Sequence, residues 1–428
     1  MTLPARRYRR VRITARIAAS VVVAMLAVVS GADSPALAED RAQGQAQDRV
    51  TTWFPRLDPD WDDTNVHADT GGLRLKATSA APASIRTGRL EGMLVTAVHQ
   101  LVEPSSRVAA ELAADQPAGS AVVVDVRGTR GDGSWTEWVP TSAEVPTLLD
   151  AAVTSVQARV MLRSGDGGAS PLVRSVRLTA QPGAQTLFAP LRNARSHRVF
   201  ATREGLVGGT TANGHVIRER DHFVALPSRR GLSPRGSGDY TVKVCSDRGR
   251  CEWAPVWDVG PWNTTDDYWN LSNERQSWRD LPQGLPQAQA AYDDGYHDGL
   301  DQFGRKVRNP AGIDLADGTF WDGLGLRDNS WVTVTYLWTD DGPPAIVGIP
   351  LLPVHSGPGE QYPAVGLAAQ RAKLPVECTV TGQAVTGSVG VTDRWLRIGP
   401  NQFVPAAHVS VQGSPKGREG THKSCATP

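Results

Sequence analysis

The chain has 428 residues, with 45 Lys and Arg against 44 Asp and Glu, and a formal net charge of +1. This length predicts two to four domains, and the balanced charge argues against the basic surface that binds nucleic acid. The 43 Gly and 30 Pro residues are typical of many short strands joined by turns rather than of a helical enzyme. We therefore expect a mainly β, multidomain protein that is a monomer and has no nucleic-acid partner.

Residues 1–38 have the pattern of a signal peptide. Five arginines lie within residues 6–12, an apolar run covers residues 17–29, and Ala36-Leu37-Ala38 offers a small-residue cleavage site. The apolar run is short and rich in Ala for a membrane-spanning helix. We expect a secreted, extracellular or cell-wall-associated protein with no membrane span once the signal is removed.

The region 51–183 is predicted to be a β-sandwich module. It contains several alternating segments separated by Gly and Pro, at the spacing that sandwiches show. A Val-rich run at 121–130 is followed by an Asp-Gly turn and by Trp135 and Trp138. These two indoles could form a platform for a sugar, but tryptophans of this kind more often close a sandwich core. We interpret both as core residues.

Asp258 stands at the end of a predicted hairpin. Residues 240–245 alternate as a half-buried strand does, residues 246–250 close the turn, and the second arm ends at Asp258 before Gly260-Pro261. The flanking indoles are Trp253, Trp257 and Trp262. Partial desolvation among indoles would raise the pKa of a carboxyl and let it act as a general acid. An aspartate that only accepts turn N–H groups explains the same pattern, and both interpretations stay open.

The four cysteines are predicted to form two disulfides. Export makes disulfides plausible, and Cys245 and Cys251 lie on opposite arms of the same hairpin. That pairing leaves Cys378 with Cys425, which would tie the C-terminal tail back to the chain. Neither pair has the spacing or the His partners of a metal site. We expect no metal and no cofactor.

The region 199–338 carries a set of short motifs in a fixed order. They are Ala201-Thr202-Arg203-Glu204-Gly205, Gly209-Thr210-Thr211-Ala212-Asn213-Gly214, His222-Phe223-Val224-Ala225-Leu226-Pro227-Ser228, Val256-Trp257-Asp258-Val259-Gly260-Pro261-Trp262 and Gly312-Ile313-Asp314-Leu315. The set resembles the double-psi β-barrel of the rare lipoprotein A and expansin group. Members of that group act on cell-wall glycans, some as lytic transglycosylases and others by loosening walls without hydrolysis.

The resemblance also implies roles for single residues. Asp258 falls on the acidic residue that the family uses in catalysis, and His222 falls near the family's His. Asp314 falls on the Asp of the Ile-Asp-Leu element, where it could hold loop N–H groups as well as take part in the chemistry. Asp314 and Asn213 are both candidates for substrate binding. Where the family has an aromatic pair, this chain has Arg203-Glu204, so Glu204 becomes a candidate second carboxylate for a hydrolase. The family's Ser after Asp-Leu is Ala316 here, and both departures bear on whether the barrel cleaves or only binds.

A long insertion, residues 263–309, separates two of these motifs. Loops of this length in compact domains are usually functional or disordered, and the aromatic content argues against disorder. Aromatic faces stack on sugar rings. Four indoles are therefore candidate glycan contacts: Trp257, Trp262, Trp269 and Trp278. An Asp-rich run at 293–301 offers oxygen ligands for calcium, but it lacks the spacing of the known calcium loop.

The region 345–411 resembles a bacterial SH3-like domain, and residues 412–428 form a polar tail. The motif residues are Val354-His355-Ser356-Gly357-Pro358-Gly359, Tyr362-Pro363, Val365-Gly366, Thr381-Gly382-Gln383, Val385-Thr386-Gly387, Asp393-Arg394-Trp395-Leu396-Arg397-Ile398 and Phe403-Val404-Pro405. Modules of this kind often bind peptidoglycan peptides or bridges. Tyr362 and Trp395 are the candidate surface aromatics, although Trp395 could equally be a core residue.

Together these patterns predict an N-terminal β-sandwich, a central double-psi β-barrel and a C-terminal SH3-like β-barrel. The expected partner is peptidoglycan or another cell-wall polysaccharide. The barrel could cleave glycan strands as a lytic transglycosylase or a glycoside hydrolase, or the protein could be a non-catalytic, expansin-like wall-binding or structural adaptor protein.

Overall fold

A computed structural model describes residues 50–76, 89–182, 194–340, 344–411 and 423–425. The protein is mainly β, with 48% strand and 9% helix, as the sequence predicted. The predicted signal peptide at 1–38 lies outside the described residues. None of the helices in the described ranges has both the length and the hydrophobicity that crossing a bilayer requires.

The first module is a nine-stranded sheet that folds over on itself. Strand β8 pairs with β5 through its first half and with β4 through its last residues, so two layers share this strand. A single apolar core of Val, Leu and Ala side chains lies between them. The strands are β1 (Thr51–Trp53), β2 (Val66–Asp69), β3 (Gly72–Leu75), β4 (Glu91–Val95), β5 (His99–Asp115), β6 (Ala121–Thr129), β7 (Val139–Pro140), β8 (Thr147–Arg163) and β9 (Leu172–Gln181).

The central module is a closed six-stranded barrel. Its strands are β10 (Arg195–Arg203), β11 (Val224–Leu226), β12 (Thr241–Ser246), β13 (Cys251–Val259), β14 (Ala311–Leu315) and β15 (Ser330–Tyr336). The hydrogen-bonded order runs β11-β14-β10-β15-β12-β13, and the pairing of β11 with β13 closes the ring. The hairpin expected to deliver Asp258 is confirmed as β12 and β13.

The pairing pattern of the barrel repeats between its two halves. Strand β10 is parallel to β14 and antiparallel to β15. Strand β13 is likewise parallel to β11 and antiparallel to β12. The two remaining pairs, β11 with β14 and β12 with β15, are antiparallel and each joins one half to the other. The barrel therefore has an internal two-fold repeat, in which β10, β11 and β12 correspond to β13, β14 and β15.

The insertion between β13 and β14 is ordered and contains one regular helix, α1 (Gln287–Asp294). The apolar positions of α1 pack under Trp262 with Val307. Shorter helical turns occur at Asp166–Gly168, Arg229–Gly231, Tyr296–Gly299, Leu337–Thr339 and Ala406–His408, and one π-helical turn spans Thr319–Gly323.

The third module continues the barrel sheet. Strand β18 lies parallel to β13, with Cys251 opposite Gly366 and Trp253 opposite Ala368. Trp253 thereby becomes part of the third module's core. The strands are β16 (Pro344–Val347), β17 (Leu351–His355), β18 (Ala364–Ala369), β19 (Lys373–Pro375), β20 (Cys378–Gly387), β21 (Gly390–Gly399), β22 (Gln402–Pro405) and β23 (Val409–Val411).

Both predicted disulfides are present. Cys245–Cys251 joins the two arms of the hairpin directly across from each other. Cys378–Cys425 ties the end of the chain to β20, where the backbone N–H of Cys425 donates to the carbonyl of Thr379 at 2.9 Å. Trp135 and Trp138 are buried, as predicted, but neither belongs to the apolar core of the first module. The indole N–H of Trp138 donates to the carbonyl of Leu232, so this ring packs against the barrel.

Candidate functional site

Two aspartates lie in one cross-strand row on the barrel. Asp258 on β13 is opposite Ala225 on β11, Ala225 is opposite Asp314 on β14, and Asp314 is opposite Thr202 on β10. Because neighbouring strands are about 4.8 Å apart, the two aspartate backbones lie about 10 Å apart, with only the methyl group of Ala225 between them. The strand order therefore brings together two carboxylates that are far apart in the sequence.

This row lies on the outer face of the barrel. Alternate side chains of a strand point to opposite faces, and the neighbours of the row point into the barrel core. These inward residues are Ala201, Val224, Leu226, Val259, Ile313 and Leu315. A core that is filled with apolar side chains leaves the outer face as the place where the acidic groups can sit.

Glu204 completes the acidic cluster just beyond the end of β10. Its backbone N–H donates to the carbonyl of Leu315 at 2.9 Å, which fixes the residue beside β14. Burial raises the pKa of Glu204 well above its ordinary value, and the neighbouring charges of Asp258, Asp314 and Asp317 raise it further. The carboxyl of Glu204 lies close to that of Asp258, and both of its oxygens are shielded from solvent with no hydrogen-bond partner among the described residues. Two buried carboxyls this close cannot both ionise, so the pair keeps a proton.

Asp314 forms the third member of the cluster. Burial raises its pKa to about 7, and the charge of Asp258 acts in the same direction. The hydroxyl of Thr202 donates to Oδ1 of Asp314 and partly offsets this rise. Asp314 therefore keeps its proton up to near neutral pH.

Asp258 is fully buried. Its Oδ1 accepts the backbone N–H of Ala212 at 2.7 Å and that of Val259 at 2.8 Å. These two bonds are the turn-type contacts that the alternative interpretation of Asp258 required. They occur in the same side chain that lies close to Glu204, so both interpretations of Asp258 stay open.

Asn213 lies in the loop beside Asp258, but its side chain is used within the protein. Its Oδ1 accepts the hydroxyl of Thr211, and its Nδ2 donates to the carbonyl of Ser233. The residue is fully buried. Asn213 therefore holds the loop that presents the Ala212 N–H to Asp258, and its predicted contact with substrate is wrong for this structure.

Asp317 and Trp321 belong to the same region and were missed by the sequence analysis. Asp317 Oδ1 accepts Arg203 Nη1 at 2.8 Å, and its charge acts on Glu204. Trp321 lies on the π-helical turn, is 39% exposed and contacts Arg203. The only sequence signal for either was proximity to the Ile313-Asp314-Leu315 motif.

His222 does not contact Asp258. Its Nδ1 lies 3.1 Å from Oε1 of the fully buried Glu252, which also accepts the hydroxyl of Thr319 at 2.9 Å. Glu252 precedes Asp258 by six residues on β13, which corresponds to about 20 Å along an extended strand. Burial lowers the pKa of His222, but Glu252 and the nearby Asp322 raise it by more, and the net shift is upward. The structure therefore does not bring His222 together with Asp258, and a catalytic role of His222 stays a prediction.

The candidate indoles have different environments. Trp269 is fully buried in the barrel core, and its Nε1 donates to Glu137 of the first module at 2.6 Å. Its predicted contact with glycan is therefore wrong. Trp257 is half-buried against Phe223 and donates to the carbonyl of Ser237. Trp262 and Trp278 are also half-buried, so these three stay predictions.

The two aromatic candidates of the third module also differ in their exposure to solvent. Trp395 is fully buried, and its Nε1 donates to the carbonyl of Gln383 at 2.9 Å. Trp395 is therefore a core residue, which was the second of its two interpretations, and it is not a surface contact. Tyr362 is 42% exposed on the segment that follows β17, and its carbonyl lies 2.8 Å from Nδ1 of His355. Tyr362 remains a candidate for ligand contact.

Comparison with known proteins assigns no activity to this chain. A family model described as a domain of unknown function (DUF8814) matches residues 195–335, which contain all six barrel strands but for the last residue of β15. No curated protein matches the sequence. The matched region also contains the complete acidic cluster, so the barrel and its carboxylates belong to one recognised sequence unit.

Proposed function

We propose that this chain is a secreted cell-wall protein whose barrel binds peptidoglycan glycan strands and cleaves them by acid catalysis. The observation that carries the proposal is the buried acidic cluster of Glu204, Asp258 and Asp314, which the strand register brings together. Cleavage of a glycosidic bond requires a carboxylic acid that is still protonated near neutral pH. The charges that act most strongly on Glu204 are those of three aspartates, and this environment keeps a proton on the pair.

The barrel topology supports the resemblance to the double-psi group. A double-psi barrel has six strands and an internal two-fold repeat, and both properties occur here in β10 to β15. The acidic residue expected from the resemblance, Asp258, lies in the carboxyl pair. Fold alone does not determine function, so the proposal depends on the pair and not on the barrel.

The proposed chemistry needs one shared proton. The Glu204–Asp258 pair donates it to the oxygen of the glycosidic bond, and the bond between this oxygen and the anomeric carbon breaks. A hydroxyl of the same sugar then forms a new bond to the anomeric carbon and returns its proton to the pair. Atoms and charge balance, and the product is an anhydro-sugar end. If water attacks instead, the product is a reducing end, and the pair, which has become an anion, accepts a proton from the attacking water.

The third module is proposed to be an SH3-like anchor that holds the protein on the wall. Tyr362 is its exposed aromatic candidate. The two disulfides support an oxidising, extracellular location. Because β18 extends the barrel sheet, the anchor would hold the barrel at a fixed orientation on the wall.

A second candidate function is non-catalytic, expansin-like binding to the wall as a structural adaptor. One observation favours it: both carboxylate oxygens of Glu204 are shielded from solvent and Asp258 is fully buried. In this role the acidic pair would shape the barrel surface, and glycan would be bound without bond cleavage.

Incubation with purified peptidoglycan and mass analysis of the soluble products tests the proposal. Anhydro-sugar ends indicate a lytic transglycosylase, and reducing ends indicate a hydrolase. Asp258→Asn, which keeps the shape and the two backbone hydrogen bonds, should abolish either product. Retention of the protein on insoluble peptidoglycan without any product would support the adaptor function and would overturn cleavage.

A further inference from the structure

The π-helical turn Thr319–Gly323 presents one large aromatic ring to solvent beside the acidic cluster. Phe320 points into the barrel core and Thr319 is buried, whereas Trp321 between Phe320 and Asp322 is 39% exposed. An exposed indole that is held by a rigid support is a typical sugar-binding surface, since the ring needs no reordering when it meets a ligand.

The turn is held at both ends. The hydroxyl of Thr319 donates to Glu252, and Arg250 Nη2 donates to the carbonyl of Asp322 at 2.6 Å. A Cβ added at Gly323 would lie 1.6 Å from Glu252 Oε2, so only glycine permits this close approach. Glu252 is therefore a positioning residue for the turn, and His222 orients Glu252 through its own hydrogen bond.

Two guanidinium groups flank the indole. Arg203 and Arg220 lie 4.9 Å and 5.1 Å from the centroid of the Trp321 ring, within the range of a cation–π contact. Their side chains are 42% and 54% exposed. The carboxylate nearest to Arg220, that of Asp322, is 3.4 Å away, which is long for a charge-assisted hydrogen bond. Arg220 can thus turn donors toward an incoming anion.

We propose that Trp321, Arg203 and Arg220 form a subsite for a sugar unit that carries a carboxylate. This inference rests on the proposed function, because it assigns a substrate class to the same site. Arg203 precedes Glu204 in the chain and pairs with Asp317, so the subsite adjoins the carboxyl pair. The indole contacts the apolar face of the sugar, and the guanidinium groups bind its carboxylate with charge-assisted hydrogen bonds.

Titration calorimetry with two tetrasaccharides tests the subsite. One alternates N-acetylglucosamine and N-acetylmuramic acid with free lactyl carboxylates, and the other contains N-acetylglucosamine alone. The full chain should bind the acidic tetrasaccharide about tenfold more tightly, because a charge-assisted hydrogen bond adds roughly that factor. Arg220→Gln should remove most of this preference, whereas Trp321→Ala should weaken both ligands several-fold.

Phe54→Ala is the control, since Phe54 is an aromatic residue on the first module that is 65% exposed, and its loss should change neither affinity. Equal affinity of the unmodified chain for the two tetrasaccharides would overturn the subsite, and so would an unchanged preference in Arg220→Gln. Products in the same samples are followed by mass, so cleavage without preference overturns the subsite alone. A chain that neither binds nor cleaves any glycan overturns the proposed function together with it.

Discussion

Two sets of buried acids in this barrel have opposite electrostatic environments. Asp239 lies where the three modules meet, with Arg127 of the first module and Lys373 of the third each 2.8 Å from one of its oxygens. Glu204 and Asp314 lie on the outer face of the same barrel and are surrounded by other carboxylates. Burial acts on both sets in the same direction, so the difference arises from their neighbours.

The pKa values show the consequence. Burial alone would raise the pKa of Asp239, but the charges of Lys373 and Arg127 outweigh it and lower the pKa strongly. The pKa values of Glu204 and Asp314 are raised. A charged acid between two cations joins modules and needs no proton. An acid that keeps its proton near neutral pH is available for proton transfer, and that contrast separates the structural acid from the candidate catalytic ones.

The largest effect on folding is expected from Asp239→Asn. This change leaves Arg127 and Lys373 buried without their counter-charge, and breaking a buried ion pair from one side costs about 3–5 kcal/mol. The variant should show a clearly lower midpoint in denaturant unfolding. Asp69→Asn is the control, because Asp69 forms an exposed pair with Arg74 and its loss should change the midpoint little. An unchanged midpoint for Asp239→Asn would mean that the triad does not hold the modules together.

The largest effect on activity is expected from Asp258→Asn. General acid catalysis contributes at least about 100-fold, and the asparagine keeps the acceptor for the Ala212 and Val259 N–H groups but cannot share a proton with Glu204. Product formation should fall by that factor while the unfolding midpoint is preserved. His222→Ala should cost less, because His222 contacts Glu252 and not Asp258. If Asp258→Asn forms product at the unmodified rate, the proton comes from elsewhere, and Glu204→Gln is the next variant to measure.

Much of this arrangement was readable in the sequence. The strand pattern, the hairpin and both disulfides came from local motifs. The family resemblance singled out Glu204, Asp258 and Asp314, whose role as site residues stays a prediction. The strand order that places Asp258 and Asp314 on either side of Ala225 could not be predicted from local motifs, because it depends on the parallel pairing of β11 with β13. Local patterns fix the period of a strand and leave its partners open.

The errors have a common physical origin. Trp269 was predicted to contact glycan and Trp395 was a candidate for the surface, yet both are fully buried with their indole N–H groups satisfied. An indole that contacts sugar and an indole that fills a core have the same sequence signature. Burial at Trp269 depends on Glu137, which is more than a hundred residues away. The sequence offered no sign that the first module would cover this ring.

A different pH dependence of stability should distinguish the two sets of acids. Asp314 has a folded-state pKa of about 7, above its unfolded value near 4. The folded state therefore keeps a proton that the unfolded state releases, and this group lowers stability as the pH rises from 4 to 7. Asp239, whose pKa is lowered, stabilises above its unfolded pKa and loses that contribution as the pH falls below about 4.

Asp314→Asn should flatten the decrease of the unfolding midpoint between pH 4 and 7. Thermal unfolding at four or five pH values measures it, and Asp328→Asn, an exposed acid, serves as the control. An Asp314→Asn profile that parallels the unmodified chain would show that Asp314 is already ionised across this range. Asp314 would then resemble Asp239 in being ionised, and the two acids would no longer differ in their protonation.

The smallest expected effect comes from Thr202→Val, which changes the cluster without removing an acid. Valine has the shape of threonine but no hydroxyl, and the hydroxyl of Thr202 donates the hydrogen bond that stabilises the ionised form of Asp314. Its loss should raise the pKa of Asp314 by less than about one pH unit. The pH at which the unfolding midpoint decreases should rise by that amount. Any part of the pH–activity profile that depends on Asp314 should shift in the same direction.

Thr335→Val is the matched control, since Thr335 lies on the neighbouring strand β15 and its hydroxyl contacts only Ser196 among the described side chains. A shift of the step to lower pH would contradict the assigned role of Thr202, because it would mean that its hydroxyl stabilises the protonated form of Asp314. The difference in pKa between Asp314 and the cation-bound Asp239 would then have to be explained by burial alone.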